Sequence, residues 1–404
     1  MHPTAGSRVD RWRTTDDGRR WLIIGSSTDP DSHRAGTQAA LAVAEPGVAQ
    51  LLLVFGTGQH DPGAVLAGIR SVVPNTPLIG GSTTAVIAPD SADTECGVVV
   101  VALGGPGFSV STGISRVVDG RARAAGAEAA SCVSGLADLP NQALVLLTDG
   151  LVGGAEDIIA GAYHVVGASM PMVGGACCPH HSSPGTFQFY NDEVVSGAIV
   201  AAAIASDGPF SVGLAHGWRK VGEPMIVTKS NHNEVYTLDD QPAVEAYLRR
   251  LGAPPEAYVD PQAFERFAEC RPIGVRGRSG EVVRNVGSSS RLSKGWLHSS
   301  GDVPEGGLVW PMEGDVGTVL SAADDACRDA VDRLGGAPPL GVIAFDCETR
   351  ARFLGTDGRR EEVTRMSAHA RPAPLAGLYT WGEIARTRGI NGMHNQTLVV
   401  LAVG

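Results

Sequence analysis

The segment PLIGGSTT at Pro77 to Thr84 returns as PMVGGACC at Pro171 to Cys178, 94 residues further on. The apolar run LLLVFG, which ends at Gly56, returns as ALVLLTDG, which ends at Gly150, again 94 residues apart. A strand, the helix after it and a Gly-Gly strand therefore recur as one unit. GVVVVALG from Gly97 is matched by GAIVAAAI from Gly197, 100 residues on, which puts about six extra residues into the second copy's loop. A more diverged third copy closes the chain, with GVIAFDC from Gly341, a polar helical stretch, PLAGLYTWGEI from Pro374 and NQTLVVLAV from Asn395. Such a chain is held to an α/β architecture: two α/β domains with mixed sheets built from repeated strand-helix-strand-strand units. Each copy places polar or reactive residues just past the carboxyl end of a strand, where open α/β sheets build their crevices.

A chain of 404 residues exceeds what one core supports. The expected division is a flexible N-terminal arm over 1–19, a domain over 20–234 that contains the duplication, and a domain over 235–404 that contains the third copy. The net charge of -11, from 32 basic and 43 acidic residues, repels polyphosphate and excludes a nucleic-acid partner. No stretch reaches the roughly 18 apolar residues of a membrane span, and the polar start of the chain is no signal sequence. The expectation is a cytoplasmic protein without membrane insertion. Seven cysteines, an odd number, then read as reduced thiols.

Helix signals are clear in places. Asp31 or Ser32 caps a helix running to about Ala44, and Asp61 with Pro62 opens the next, whose apolar face carries Val65, Ile69, Val72 and Val73. The stretch around NHN, before residue 234, reads as two strands about a turn. Asp240 and Pro242 are expected to open a helix that Gly252 ends. Residues 258–310 read as short strands and turns. Thr318 to Leu334 reads as a helix with Cys327 in its buried stripe.

Cys347 ends the apolar strand GVIAF beside Asp346, Glu348 and Arg350, where a guanidinium lowers a thiol's pKa and carboxylates raise it. CCPHH gathers Cys177, Cys178, His180 and His181, soft and borderline donors that suit zinc or a haem axial bond. Their spacing is not that of a structural zinc knuckle. Near the C-terminus, Glu383, His394, Asn395 and Thr397 fall at the same sheet edge as Cys347, and His216 lies in LAHGW. An enzymatic alternative makes Cys347 a nucleophile with His394 or His369 as its base. Neither a dinucleotide or P-loop signature nor a GxSxG elbow is present.

Taken together, VGGACC with FYNDEVVSGAIVAA, then GLAHGW and MIVTKSNHNEVYTLDDQPAVEAY, resemble the FIST family of sensory proteins. FDCETR, GLYTWGEIA and HNQTL are similar to that family's C-terminal motifs. The resemblance implies a FIST N-terminal plus FIST C-terminal domain protein of the standalone bacterial type. It further implies a small-molecule ligand such as an amino acid, with haem bound in some members, and action through a separate signalling effector protein. Carried onto this chain, the ligand-binding positions are Cys347, Arg350, Gly382, Glu383, Asn395 and Thr397. Arg350 would suit a carboxylate and Glu383 an amine. The first Gly-Gly strand departs from the family pattern, since TTAVI follows where the family more often has a Gly-Glu pair.

Overall fold

The computed structural model describes residues 9–16, 19–44, 49–88, 96–118, 120–180, 185–277, 280–287, 290–386 and 392–404. The chain opens with β1 (Val9–Asp16). The first copy follows: β2 (Arg20–Ser27), α1 (Ser32–Val43), β3 (Ala49–Thr57), α2 (Pro62–Val72), β4 (Leu78–Thr83), β5 (Val86–Ile87) and β6 (Val98–Gly104). The second runs through β7 (Phe108–Arg116), α3 (Ala122–Ala130), β8 (Asn141–Asp149), α4 (Ala155–Val166), β9 (Met172–Cys177), β10 (Gln188–Tyr190), β11 (Glu193–Val195) and β12 (Ala198–Ser206). The third starts at β13 (Phe210–Ala215).

An insert then interrupts it, with β14 (Arg219–Lys220), β15 (Met225–Asn231), β16 (Glu234–Leu238), β17 (Gln241–Pro242), α5 (Ala243–Arg250), α6 (Pro261–Ala268), β18 (Ile273–Arg276), β19 (Glu281–Arg284), β20 (Leu297–His298) and β21 (Leu308–Glu313). The third copy resumes with α7 (Val316–Asp332), β22 (Gly341–Cys347), α8 (Glu348–Ala370, broken at Gly355), β23 (Leu375–Thr380), β24 (Glu383–Arg386), β25 (Met393–His394) and β26 (Leu398–Val403).

The three copies share one topology. Their strand orders are β2-β6-β3-β4, β7-β12-β8-β9 and β13-β26-β22-β23. In each, the second and third strands in chain order run parallel and the remaining pairs are antiparallel. Alternate residues of these apolar strands face opposite ways. Leu51, Leu53 and Phe55 join Val145, Leu147, Ile343 and Phe345 in one interior common to all three sheets. Leu52 and Val54 turn instead toward α1 and α2, Leu144 and Leu146 toward α3 and α4, and Val342 and Ala344 toward α7 and α8.

The Gly strands explain why the repeat is legible. A Cβ on Gly80, Gly174 or Gly377 would sit 1.9, 1.9 and 2.0 Å from the carbonyl oxygens of Val54, Leu146 and Ala344, its registered partners on the parallel neighbour. No side chain fits there.

Beyond these strands the chain crosses into a neighbouring sheet. β5 adds to β23, β10 adds to β4, and β24 adds to β9, so each copy completes another in a closed cycle. The insert packs around its own apolar cluster, including Val227, Leu238, Tyr247, Phe264 and Val309. The division expected at residue 234 falls inside this insert, at the β15–β16 hairpin; the third copy's first strand lies upstream, without a glycine pair to mark it.

Several local expectations hold. Asp31 and Asp61 cap α1 and α2 by accepting from the N–H groups of Arg34 and Ala64. Others change. Residues 9–16 of the expected flexible arm are a strand paired with β2 from Val9↔Ser27 to Asp16↔Arg20, held by backbone bonds that composition does not reveal. Asp240 does not cap a helix, because it is spent at φ 59 in the turn between β16 and β17. α7 starts at Val316, before Thr318, since Asp315 and Thr318 form a reciprocal capping box. α6 lies where only strands and turns were expected, capped by Asp260.

Candidate functional site

The carboxyl ends of the parallel strands meet at one end of the molecule, beside the insert. There a cavity of about 450 Å³ opens. Residues at or just past the ends of the Gly strands of all three copies reach it: Thr84 from the first, Pro179 and His180 from the second, Thr380 and Trp381 from the third. Cys347, Glu348, Thr349 and Arg352 line it from the end of β22 and the start of α8, and Asn285 and Ser300 from the insert. Asn395 completes it, its Oδ1 accepting from the Ser300 hydroxyl at 2.7 Å and so tying the core to the insert.

Backbone bonds hold this end together. Thr83 Oγ1 donates to the Tyr379 carbonyl at 2.9 Å, Cys178 Sγ donates to the same carbonyl at 3.2 Å, and Trp381 N–H donates to the Ala176 carbonyl at 2.9 Å. Gly382, at φ +127, offers its carbonyl to Ala176 N–H at 2.9 Å. An L residue rarely adopts that conformation, and a Cβ would also meet the Met393 methyl group.

The expected ligand residues separate into two layers. Cys347 and Asn395 line the cavity. Arg350 lies beneath it, fully buried, donating to Asp346 at 2.8 Å, Glu362 at 2.5 Å and the carbonyls of His216 and Val319 at 2.9 and 3.3 Å. Its guanidinium is engaged on the protein. Glu383 is also buried, with Thr380 Oγ1 donating to its Oε1 at 3.0 Å and Thr397 N–H to its Oε2 at 3.2 Å. Thr397 turns its own hydroxyl to the Asn395 carbonyl at 2.8 Å. Thus Glu383 supports Thr380, which does face the cavity.

Asp346 and Glu362 share this one guanidinium, and Glu383 is a third buried carboxyl group close by. Burial first, and then the neighbouring Asp346 charge, hold Glu362 and Glu383 well above the usual carboxylate range. Burial, then Glu383, also raises the Cys347 thiol well above its ordinary value. A cysteine nucleophile needs the opposite environment. The expected bases are placed elsewhere: His369 pairs with Asp324 at 3.1 Å, and His394 Nε2 lies 3.3 Å from the Ala385 carbonyl. His216 accepts from Trp218 N–H at 3.0 Å and is pushed down to about 4 by burial and then by Arg350.

The described residues of CCPHH part company. Cys177 packs in the shared interior and Cys178 is buried with its thiol on Tyr379, burial pushing the latter up to about 12. His180 lines the cavity, and His181 lies outside the described residues. Among the described residues, no three His, Cys, Asp or Glu side chains are grouped to hold a metal ion.

Sequence reading passed over Arg352, Thr349, Asn285, Ser300 and Trp381. Arg352 carried a signal: with Glu348 it forms an i,i+4 pair directly after Cys347, and the two side chains meet at 3.2 Å. Arg352 also reaches Glu269 of the insert at 2.9 Å. Asn285 and Ser300 carried none, since only the insert's fold returns them to this edge.

A repeated α/β core thus carries a polar cavity at the edge of an inserted segment. The FIST N domain matches residues 50–241 and the FIST C domain residues 243–386, and the chain belongs to this family. FIST domains are generally sensory domains associated with signalling. An uncharacterised protein of Mycobacterium tuberculosis is 25% identical over 400 residues, covering 93% of this chain and 97% of its own. An uncharacterised protein of Methanocaldococcus jannaschii is 25% identical over 172 residues, covering 41% of this chain and 33% of its own. The solved structure of T. maritima PurL complexed with ATP aligns over 98% of this chain and 73% of its own, at 12% identity. Its TM-score of 0.24 carries no argument. No helix among the described residues is long and apolar enough to cross a membrane.

Proposed function

We propose that this chain is a sensory protein that binds a small amino-acid-like ligand in the cavity beside Cys347 and signals through a separate effector protein. The observation that carries this reading is the placement of opposite charges, Glu348 and Arg352, in one cavity walled by all three copies and by the insert. Arg352 takes the carboxylate role that the motif alone suggested for Arg350, because it lines the cavity half exposed whereas Arg350 is fully buried beneath it. Glu348 takes the ammonium. Asn395, Ser300 and Thr380 supply neutral hydrogen-bonding groups around them. A volume of about 450 Å³ lies within the roughly 300–1,000 Å³ range of small-molecule pockets.

Because core and insert share the cavity, an occupant would contact both and change how they are held together. That change is what an effector would read. The test is a thermal-shift screen of free amino acids and related amines, followed by calorimetry on the hits. A bound amino acid should lose about ten- to a hundredfold in affinity in Arg352→Met, as expected for one charge-assisted hydrogen bond. Melting curves that none of these compounds moves would remove the reading. A pull-down that recovers a signalling partner only with the hit compound present would support the effector.

A further inference from the structure

We propose that the cavity beside Cys347 is one lobe of a two-lobed groove that takes a short peptide of dipeptide size; this rests on the reading of the first lobe given above. A second cavity, of about 480 Å³, adjoins the first and is bounded by α6 and the turn after β19. The two share Asn285, Thr349 and Arg352 as common walls. Arg352 therefore stands at the midpoint, between Glu348 on one side and Glu269 on the other.

Two amide oxygens in this groove have no donor. Asn285 Oδ1, on the shared wall, and Gln396 Oε1, in the second lobe, are both buried without a hydrogen-bond partner. Gln396 is 1% exposed, and its Nε2 is already committed to the Glu269 carbonyl at 3.0 Å. A buried acceptor left without a donor is destabilising, and native structures keep few of them. Their residues line the groove at separate positions, and an occupant's N–H groups are the donors these two oxygens lack within the chain.

A free amino acid has one ammonium and one carboxylate, which Glu348 and Arg352 already match, and it leaves the second lobe empty. A dipeptide adds a peptide N–H and carbonyl and carries its terminal charge further. The second lobe offers both signs to that end, with Glu265 and Arg266 exposed on α6. A linear polyamine would also supply N–H donors, but it would set its cations against Arg352 and Arg266.

Calorimetry on the full chain with free amino acids, X-Ala and Ala-X dipeptides, putrescine and spermidine decides this. At least one dipeptide should bind about tenfold or more tightly than either of its constituent amino acids. The exposed double variant Glu265→Gln, Arg266→Gln should shrink that advantage several-fold and leave amino-acid affinity unchanged. Equal affinity for dipeptides and free amino acids would overturn the second lobe while leaving the first intact. Polyamine binding without dipeptide binding would overturn the ligand class, and silence from every probe would overturn both readings.

Discussion

The second and third copies end their central strands at the same place and use it differently. Asp149 of β8 lies opposite Cys177, and Cys347 of β22 lies opposite Thr380, at matching points of the parallel pair. Asp149 is tied down on both oxygens, accepting from Leu151 N–H at 2.9 Å and the Thr186 hydroxyl at 2.5 Å on Oδ1, and from Gly197 N–H at 2.7 Å on Oδ2. Five residues then separate Asp149 from α4, whereas α8 begins directly after Cys347. The end of β8 is tied down by Leu151 of the loop after it and by Thr186 and Gly197 from further along the chain. The other has no room for a loop and opens onto a cavity, with its charges satisfied from beneath by Arg350. The repeated scaffold thus occupies one strand end with its own hydrogen bonds and leaves a cavity at the other.

Removing the support under the open end should have the largest effect. Arg350→Met leaves Asp346 and Glu362 buried without their cation and should cost about 3–5 kcal/mol, read by urea unfolding. Unchanged stability with lost ligand binding would instead make Arg350 a ligand contact and break the comparison. At the other end, Asp149→Ala should cost about 1–3 kcal/mol by leaving the buried Thr186 hydroxyl and the half-buried Gly197 N–H without their acceptor, with amino-acid affinity measured by calorimetry unaltered. A loss of affinity there would show that the second copy's strand end is open too.

The acid cluster sharpens the contrast through pH. Glu383 holds its proton in the folded state to higher pH than in the unfolded chain, where a glutamate titrates near ~4.3. Its contribution to stability is therefore full below that value and is lost as pH rises through the folded-state pKa. Glu383→Gln keeps a neutral group at this site, so its melting temperature should gain on the parent as pH is raised from about 5 to 8. A gain on lowering pH would show that Glu383 is buried as an anion. The smallest effect concerns the thiol: iodoacetamide at pH 8 should label Cys347 far more slowly than a free cysteine, whose pKa is near ~8.5. Fast, selective labelling would restore the nucleophile.

Much of the scaffold was legible because the physical demand behind it is local. Gly80, Gly174 and Gly377 are required by a carbonyl 1.9–2.0 Å from any Cβ, so the motif marks the strand and its parallel neighbour together. Asp31 and Asp61 cap helices through groups three residues away. The site was legible only in part. Cys347 and Asn395 lie at the cavity, but Arg350 and Glu383 have their partners below it, and the sequence offers each arginine a carboxylate four residues before it, Asp346 for Arg350 and Glu348 for Arg352.

Sequence alone determined the threefold recurrence, the α/β class and the strand ends where a cavity opens, because periodicity, caps and steric glycines act over a few residues or one strand pair. Tertiary structure alone decided which copy opens, which arginine faces the cavity and that the insert returns Asn285 and Ser300 to its rim. Those outcomes depend on contacts between segments tens to hundreds of residues apart, such as Thr83 with Tyr379 and Ser300 with Asn395, and on the burial that such contacts create.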